Sequence, residues 1–170
     1  MTIRSYRPED LDEILQLFYD TVHAVNARDY APEQLDAWAD GRADRDAWNR
    51  SLLEHDTRVA LIGETIVGFA DMDENGYLDR LYVHRDFQGK GIASALCDKL
   101  EDGNPVPKYR VHASITARPF FEKRGYAAVY EQQVERHGIL LTNFAMEKSG
   151  PEKESGAKEE GGRGGSLAGK

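Results

Sequence analysis

The segment Val83-His-Arg-Asp-Phe-Gln-Gly-Lys-Gly-Ile-Ala93 constrains this chain more than any other. A strand-like run over residues 77–83 leads into it, and a helix-like run over residues 92–100 begins as it ends. A strand that feeds a glycine-rich turn into a helix start gathers backbone N–H groups and the positive end of the helix dipole at one point. That is a place to hold a phosphate.

Composition narrows the class. At 170 residues the chain predicts one domain over residues 1–148, large enough for a real core, followed by a tail. Residues 149–170 carry almost no large apolar side chain and cannot offset their chain entropy, so they read as disordered. No apolar run approaches the roughly 20 residues of a membrane span, and the first residues lack the apolar centre of a signal peptide. Cys97 is the only cysteine, so no internal disulfide can form, which fits a reducing, cytoplasmic setting. A formal charge of −8 argues against a nucleic-acid partner, and no membrane partner is expected.

Periodicity gives the order of elements. Residues 2–6 read as a short strand. Asp10-Leu-Asp-Glu13 has the spacing of a capping box, with Asp in place of Ser or Thr. Behind it Leu11, Ile14, Leu15, Phe18, Val22 and Val25 fall on one helical face. Pro32 suits the first turn of a second helix carrying Leu35 and Trp38, and Trp48 with Leu52 predict a third. Strand-like runs over 58–62 and 65–70 flank Gly63-Glu64, which fits a two-residue hairpin, and Asn75-Gly76 predicts the next hairpin into residues 77–83. A strand over 109–114, a helix over about 116–124 closing on Gly125, and strands over 126–134 and 139–147 turning near His137-Gly138 complete the chain. The fold class is therefore α/β: a mixed, mostly antiparallel sheet flanked by helices, with one central parallel βαβ unit.

With this order, Gln88-Gly-Lys-Gly-Ile-Ala93 resembles the (Arg/Gln)-x-x-Gly-x-(Gly/Ala) signature of the general N-acetyltransferase (GNAT) superfamily. Ala117-Arg-Pro-Phe-Phe-Glu-Lys-Arg-Gly-Tyr126 resembles that family's Ala-x-x-(aromatic)-Tyr-Glu-Lys-x-Gly-Phe stretch. The likeness covers residues 1 to about 148 and implies an enzyme that moves acetyl from acetyl-CoA directly to an amine, small or on a protein or peptide. It also implies roles for particular residues. Gln88, Gly89, Lys90, Gly91, Ile92 and Ala93 would surround the pyrophosphate, mainly through backbone N–H groups. The backbone of Leu81, Tyr82 and Val83 would pair with pantetheine, as a peptide adds to a strand edge. Phe120 and Phe121 would pack near the pantetheine arm.

The chain departs from the family in two places. Phe121 stands where a tyrosine usually protonates the leaving thiolate, and Ser114 stands where an asparagine is common, keeping a hydroxyl for contact. Phe121 raises the alternative of a non-catalytic acyl-CoA-binding regulatory domain. Tyr77, Tyr126 and Tyr130 are conceivable substitute acids. An amine acceptor with a pKa of about 10.4 must lose a proton before it attacks. Strict alternation would set Tyr77, Asp79, Leu81 and Val83 on one strand face, making Asp79 the best-placed carboxylate, or else a charge satisfied by Arg80 or Arg110. The scattered histidines have no metal-ligand spacing, so no metal is expected, and His112 reads first as a sheet histidine. Pairing of sheet edges would allow a homodimer.

Overall fold

The computed structural model describes residues 1–151. Strand β1 (Thr2–Ser5) is followed by helices α1 (Leu11–Ala24), α2 (Pro32–Trp38) and α3 (Arg45–Glu54). Strands β2 (Asp56–Ile62), β3 (Thr65–Met72) and β4 (Tyr77–Val83) lead to α4 (Ile92–Gly103). Strand β5 (Lys108–Ser114), helix α5 (Arg118–Lys123), β6 (Ala127–Arg136) and β7 (Ile139–Ser149) complete the order. The strands form one sheet ordered β1-β2-β3-β4-β5-β7-β6, antiparallel except where β4 meets β5. This is the α/β architecture expected from the sequence. Strand β7 runs one residue past the expected domain boundary. Residues 152–170 of the expected tail lie outside the described residues. Among the described residues no helix is long and apolar enough to cross a membrane.

Side chains divide the molecule into two layers about the sheet. On one face α4 buries Ile92, Leu96, Cys97 and Leu100 against β3, β4 and β5, with Phe121 and Tyr126 closing the end. On the other, α1 buries Leu11, Ile14 and Leu17 against Val59, Ile66 and Phe69. Leu17 belongs to this face in place of the expected Leu15, which is only half-buried. Burial pushes the Cys97 thiol up to about 12, so it is an inert part of the core.

Local chemistry sets the element ends. Asp44 caps α3 by accepting from the Ala47 N–H at 3.1 Å, and Pro32 opens α2. The expected capping box on α1 does not form. Asp10 instead accepts from Arg4 at 2.8 and 2.9 Å and from the Arg7 N–H at 2.9 Å, while Glu13 reaches across to the Ile66 N–H at 2.8 Å. A bidentate arginine outcompetes a local cap, because charge-assisted pairs are the stronger hydrogen bonds.

The β3–β4 turn is closed by Asp73, whose Oδ1 accepts from the N–H groups of Asn75 and Tyr77, both at 2.9 Å. Gly76 there has φ +85°, and an added Cβ would sit 2.5 Å from Val106 Cγ2 and 3.1 Å from the Lys108 carbonyl. Gly76→Ala should therefore combine left-handed strain with overpacking, about 2–4 kcal/mol in all. Urea denaturation should report that loss as a lower midpoint with an unchanged slope.

Candidate active site

The site forms where two strands part company. β4 and β5 are paired only at Tyr77–Arg110 and Leu78–Val111. Beyond these, β5 continues along β7 to Ser114 and β4 along β3 to Val83, and among the described residues no strand covers the β5-facing edge of β4 from Asp79 onward. Unpaired backbone donors and acceptors at a sheet interior need a partner, and a ligand can supply it. The gap is a cleft of about 430 Å³.

Its floor is the glycine turn. Gly89 and Gly91 both have positive φ, 72° and 83°, and a Cβ added to either would meet nothing within 4 Å. The turn thus faces open space, as a phosphate cradle at the start of α4 requires. Gln88 closes the turn onto β4, its Nε2 donating to the Val83 carbonyl at 2.5 Å. Gln88, Gly89, Gly91, Ile92 and Ala93 line the cleft, whereas Lys90 is exposed and does not. Leu81, Tyr82 and Val83 form one wall, and Ser114, Phe120 and Phe121 the other. Except for Lys90, the residues that the resemblance implies for the cofactor line one cavity.

Strand β4 does not alternate as expected. The register with β3 shifts between Asp71–Arg80 and Met72–Leu78, leaving Asp79 unpaired in a bulge. Leu78, Leu81 and Val83 therefore share the α4 face. Asp79 lies with Arg80 and Asp71 on the other face, where its Oδ2 is 3.7 Å from Arg80 Nη2. Asp79 still lines the cleft, but not on the face of Leu81 and Val83. Across from it on β5, His112 lines the same cleft and stacks edge-on with Tyr77 at 5.3 Å. His112, read first as a satisfied sheet histidine, thus reaches the cleft.

None of the three candidate acids lines the cleft. Tyr126 donates to Glu101 at 3.3 Å behind α4, Tyr130 is exposed on β6, and Tyr77 packs on His112. The hydroxyls present are Thr21, Tyr82, Ser94, Ser114 and Thr116. Ser114 Oγ accepts from the Ala117 N–H at 3.0 Å, leaving its proton available. Tyr82 receives the Trp38 Nε1–H at 3.2 Å, and burial pushes its phenol up to about 12.

Sequence reasoning missed one titratable cluster altogether. His55, at the end of α3, places Nδ1 2.7 Å from Asp71 Oδ2. Arg80 Nη1 donates to the same oxygen at 2.7 Å, and its Nη2 to Ser51 Oγ at 2.9 Å. Its guanidinium lies 4.6 Å from the Trp48 ring centroid. Burial pushes the Asp71 carboxyl above its ordinary range, against the hydrogen bond from His55 and the charge of Arg80. The hydrogen bond to Asp71 pushes His55 up in turn, against burial. The signal available in the sequence was Asp71 itself, a lone carboxylate in the otherwise apolar run Ile66-Val-Gly-Phe-Ala-Asp-Met72.

Known proteins share this fold. The family model described as an acetyltransferase (GNAT) domain matches residues 26–148. An uncharacterized N-acetyltransferase of Escherichia coli, YafP, is 37% identical over 144 residues, covering 85% of this chain and 93% of the relative. A crystal structure described as a GCN5-related N-acetyltransferase (aminotransferase, class II) from Rhodopseudomonas palustris superposes with a TM-score of 0.82 at 34% identity, over 87% of this chain and 94% of that one. The PaiA N-acetyltransferase of Thermoplasma acidophilum, solved with coenzyme A, shares the fold at a TM-score of 0.70 and 18% identity, over 87% and 98% of the two chains. The splayed strands, the glycine turn and these likenesses agree: the chain belongs to the GNAT family of acetyltransferases.

Proposed function

We propose that this N-acetyltransferase holds acetyl-CoA along the uncovered edge of β4, with its pyrophosphate on the turn from Gln88 to Ala93, and uses Asp79 as the base for an amine acceptor. The parting of β4 from β5 directly above two left-handed glycines is the observation that carries this reading. Backbone groups of Leu81, Tyr82 and Val83 would pair with the pantetheine amides. An N–H on that edge would face the oxyanion as the tetrahedral intermediate forms. Phe120 and Phe121 would flank the arm, with Ser114 near the thioester. A thiol with a reference pKa near 8.5 departs readily, so a phenylalanine in place of the usual tyrosine is tolerable. The family match does not favour a purely regulatory acyl-CoA-binding domain.

The acceptor in this reading is a small primary amine on an apolar body. Val25, Trp38 and Tyr82 line the same cleft as Asp79. Trp38 also lines a second cavity, of about 630 Å³, with Phe18, Tyr19 and Trp48. The apolar walls at Val25, Trp38 and Tyr82 suit a hydrophobic or aromatic group, although the second cavity also carries Asp12, Asp40 and Arg45. A cytoplasmic location and a homodimer built on the open β6 edge, which exposes Val129 and Tyr130, belong to the same reading.

The test is release of free thiol from acetyl-CoA in the presence of phenethylamine, spermidine, and peptides offering an α-amine or a lysine. Phenethylamine should give the highest kcat/KM. Preference for a peptide would overturn the acceptor assignment. Stabilisation by coenzyme A with no thiol release from any amine would overturn the catalytic one.

A further inference from the structure

Acetylation of a protonated amine leaves one proton over. An ammonium carries three protons on nitrogen. The amide keeps one, the departing thiolate takes one as the carbon–sulfur bond breaks and the carbon–nitrogen bond forms, and the third must leave a filled cleft. We infer that the His55–Asp71 pair is the exit for that proton: Asp79 takes it from the acceptor nitrogen and passes it to His55, whose imidazolium Asp71 stabilises until solvent removes it. This rests on the reading of Asp79 as base.

Asp79 and His55 stand farther apart than a hydrogen bond, so one water would carry the proton between them. A ring nitrogen of His55 and one carboxylate oxygen each of Asp71 and Asp79 lie within 4.8 Å of one another. Asp79 lines the cleft and His55 does not, yet His55 keeps 20% of its side-chain surface open to solvent. It therefore offers a way to bulk water outside the cleft, whereas Asp79, with 35% of its side-chain surface open, opens into the cleft itself. With Asp71 Oδ2 as acceptor, Nδ1 of His55 is the nitrogen that bears hydrogen, which leaves Nε2 with its lone pair. A buried aspartate that fixes the tautomer of a histidine and stabilises its cation is the arrangement of a catalytic triad, here moved one step from the nucleophile.

Asp71 is fully buried, and two donors, His55 and Arg80, converge on its Oδ2 while Oδ1 has no partner among the described residues. Histidine and carboxylates of this kind would also suit a divalent cation, but Arg80 already supplies the positive charge at Asp71. The charged groups acting on His55 are Asp71 from β3 and Asp79 and Arg80 from β4. Asp56, next along the chain, is turned toward Arg58 and Asn104. Asp71 and Asp79 both raise the affinity of His55 for a proton, so at low pH the imidazole is already charged and the exit is closed. The acidic limb of kcat should then lie above the ordinary histidine value of about 6.5.

The measurement is kcat against pH for the full chain with acetyl-CoA and phenethylamine. His55→Asn keeps a donor for Asp71 but cannot accept a proton. It should lower kcat by about 100-fold, the low end of what positioned proton transfer contributes, and abolish the acidic limb. Imidazole in solution should partly restore His55→Ala. His112→Asn, whatever its effect on kcat, should leave the limb in place. An unchanged rate and limb in His55→Asn, no rescue of His55→Ala, or loss of the limb in His112→Asn would each overturn the assignment. If Asp79→Asn is slow while the His55 variants match wild type, only the exit is wrong. If Asp79→Asn is fast, the base is wrong as well. Imidazole ¹⁵N NMR of the resting protein needs no acceptor: Asp79→Asn should move the His55 midpoint down, and an unmoved midpoint would sink the coupling on which the exit depends.

Discussion

Gly91→Asp is expected to weaken coenzyme A binding by roughly 1,000-fold while the domain stays folded. The turn is open at this point, since a Cβ on Gly91 meets no protein atom within 4 Å. The fold therefore carries only the strain of a side chain at φ +83°, about 1–2 kcal/mol and less for an aspartate, which tolerates that region. The ligand bears the main effect. A carboxylate placed about 4 Å from a phosphate near the protein surface is opposed by about 4 kcal/mol, which corresponds to the stated loss. Gly91→Ala separates the two contributions, because it adds the strain without the charge and should lose much less. Titration calorimetry gives the affinities and thermal denaturation checks the fold. An aspartate variant that binds coenzyme A like wild type would remove the pyrophosphate from this turn.

What could be read from the sequence is what neighbouring residues decide among themselves. His137 and Gly138 both adopt positive φ, 50° and 80°, and Gly63 does so at 64° between β2 and β3, as the hairpin chemistry predicts. The glycine turn and the parallel βαβ unit were legible for the same reason. The failures share a different cause. Asp10 was assigned to a cap and instead pairs with Arg4 on the neighbouring strand. The face of Asp79 was inferred from alternation within β4, but a bulge set by pairing with β3 turned it over. His55 and Asp71 are 16 residues apart, and the pairing of β2 with β3, which sets Thr57 against Asp71, brings them within 2.7 Å. Local pattern located the glycine turn at the start of α4. The acceptor side depends on how strands pair, and periodicity does not encode that.

Asp79→Asn should lower kcat by about 1,000-fold, within the range that a positioned general base supplies, and leave the affinity for coenzyme A nearly unchanged. The substitution keeps the size and polarity of the side chain and removes only its ability to take a proton. Its ion-pair partner at 3.7 Å, Arg80, is already held by Asp71 and Ser51 at 2.7 and 2.9 Å, so the bulge should persist. Because the carboxylate lies on the face of β4 away from Leu81 and Val83, the groups proposed to meet pantetheine are untouched. A structural role would appear as a raised KM for acetyl-CoA or a lower melting temperature. A base appears in kcat alone, and its loss shrinks as pH approaches the pKa of the acceptor, where the amine is already neutral. A rate deficit that stayed constant across that range would assign Asp79 to placing the acceptor, with its proton taken elsewhere.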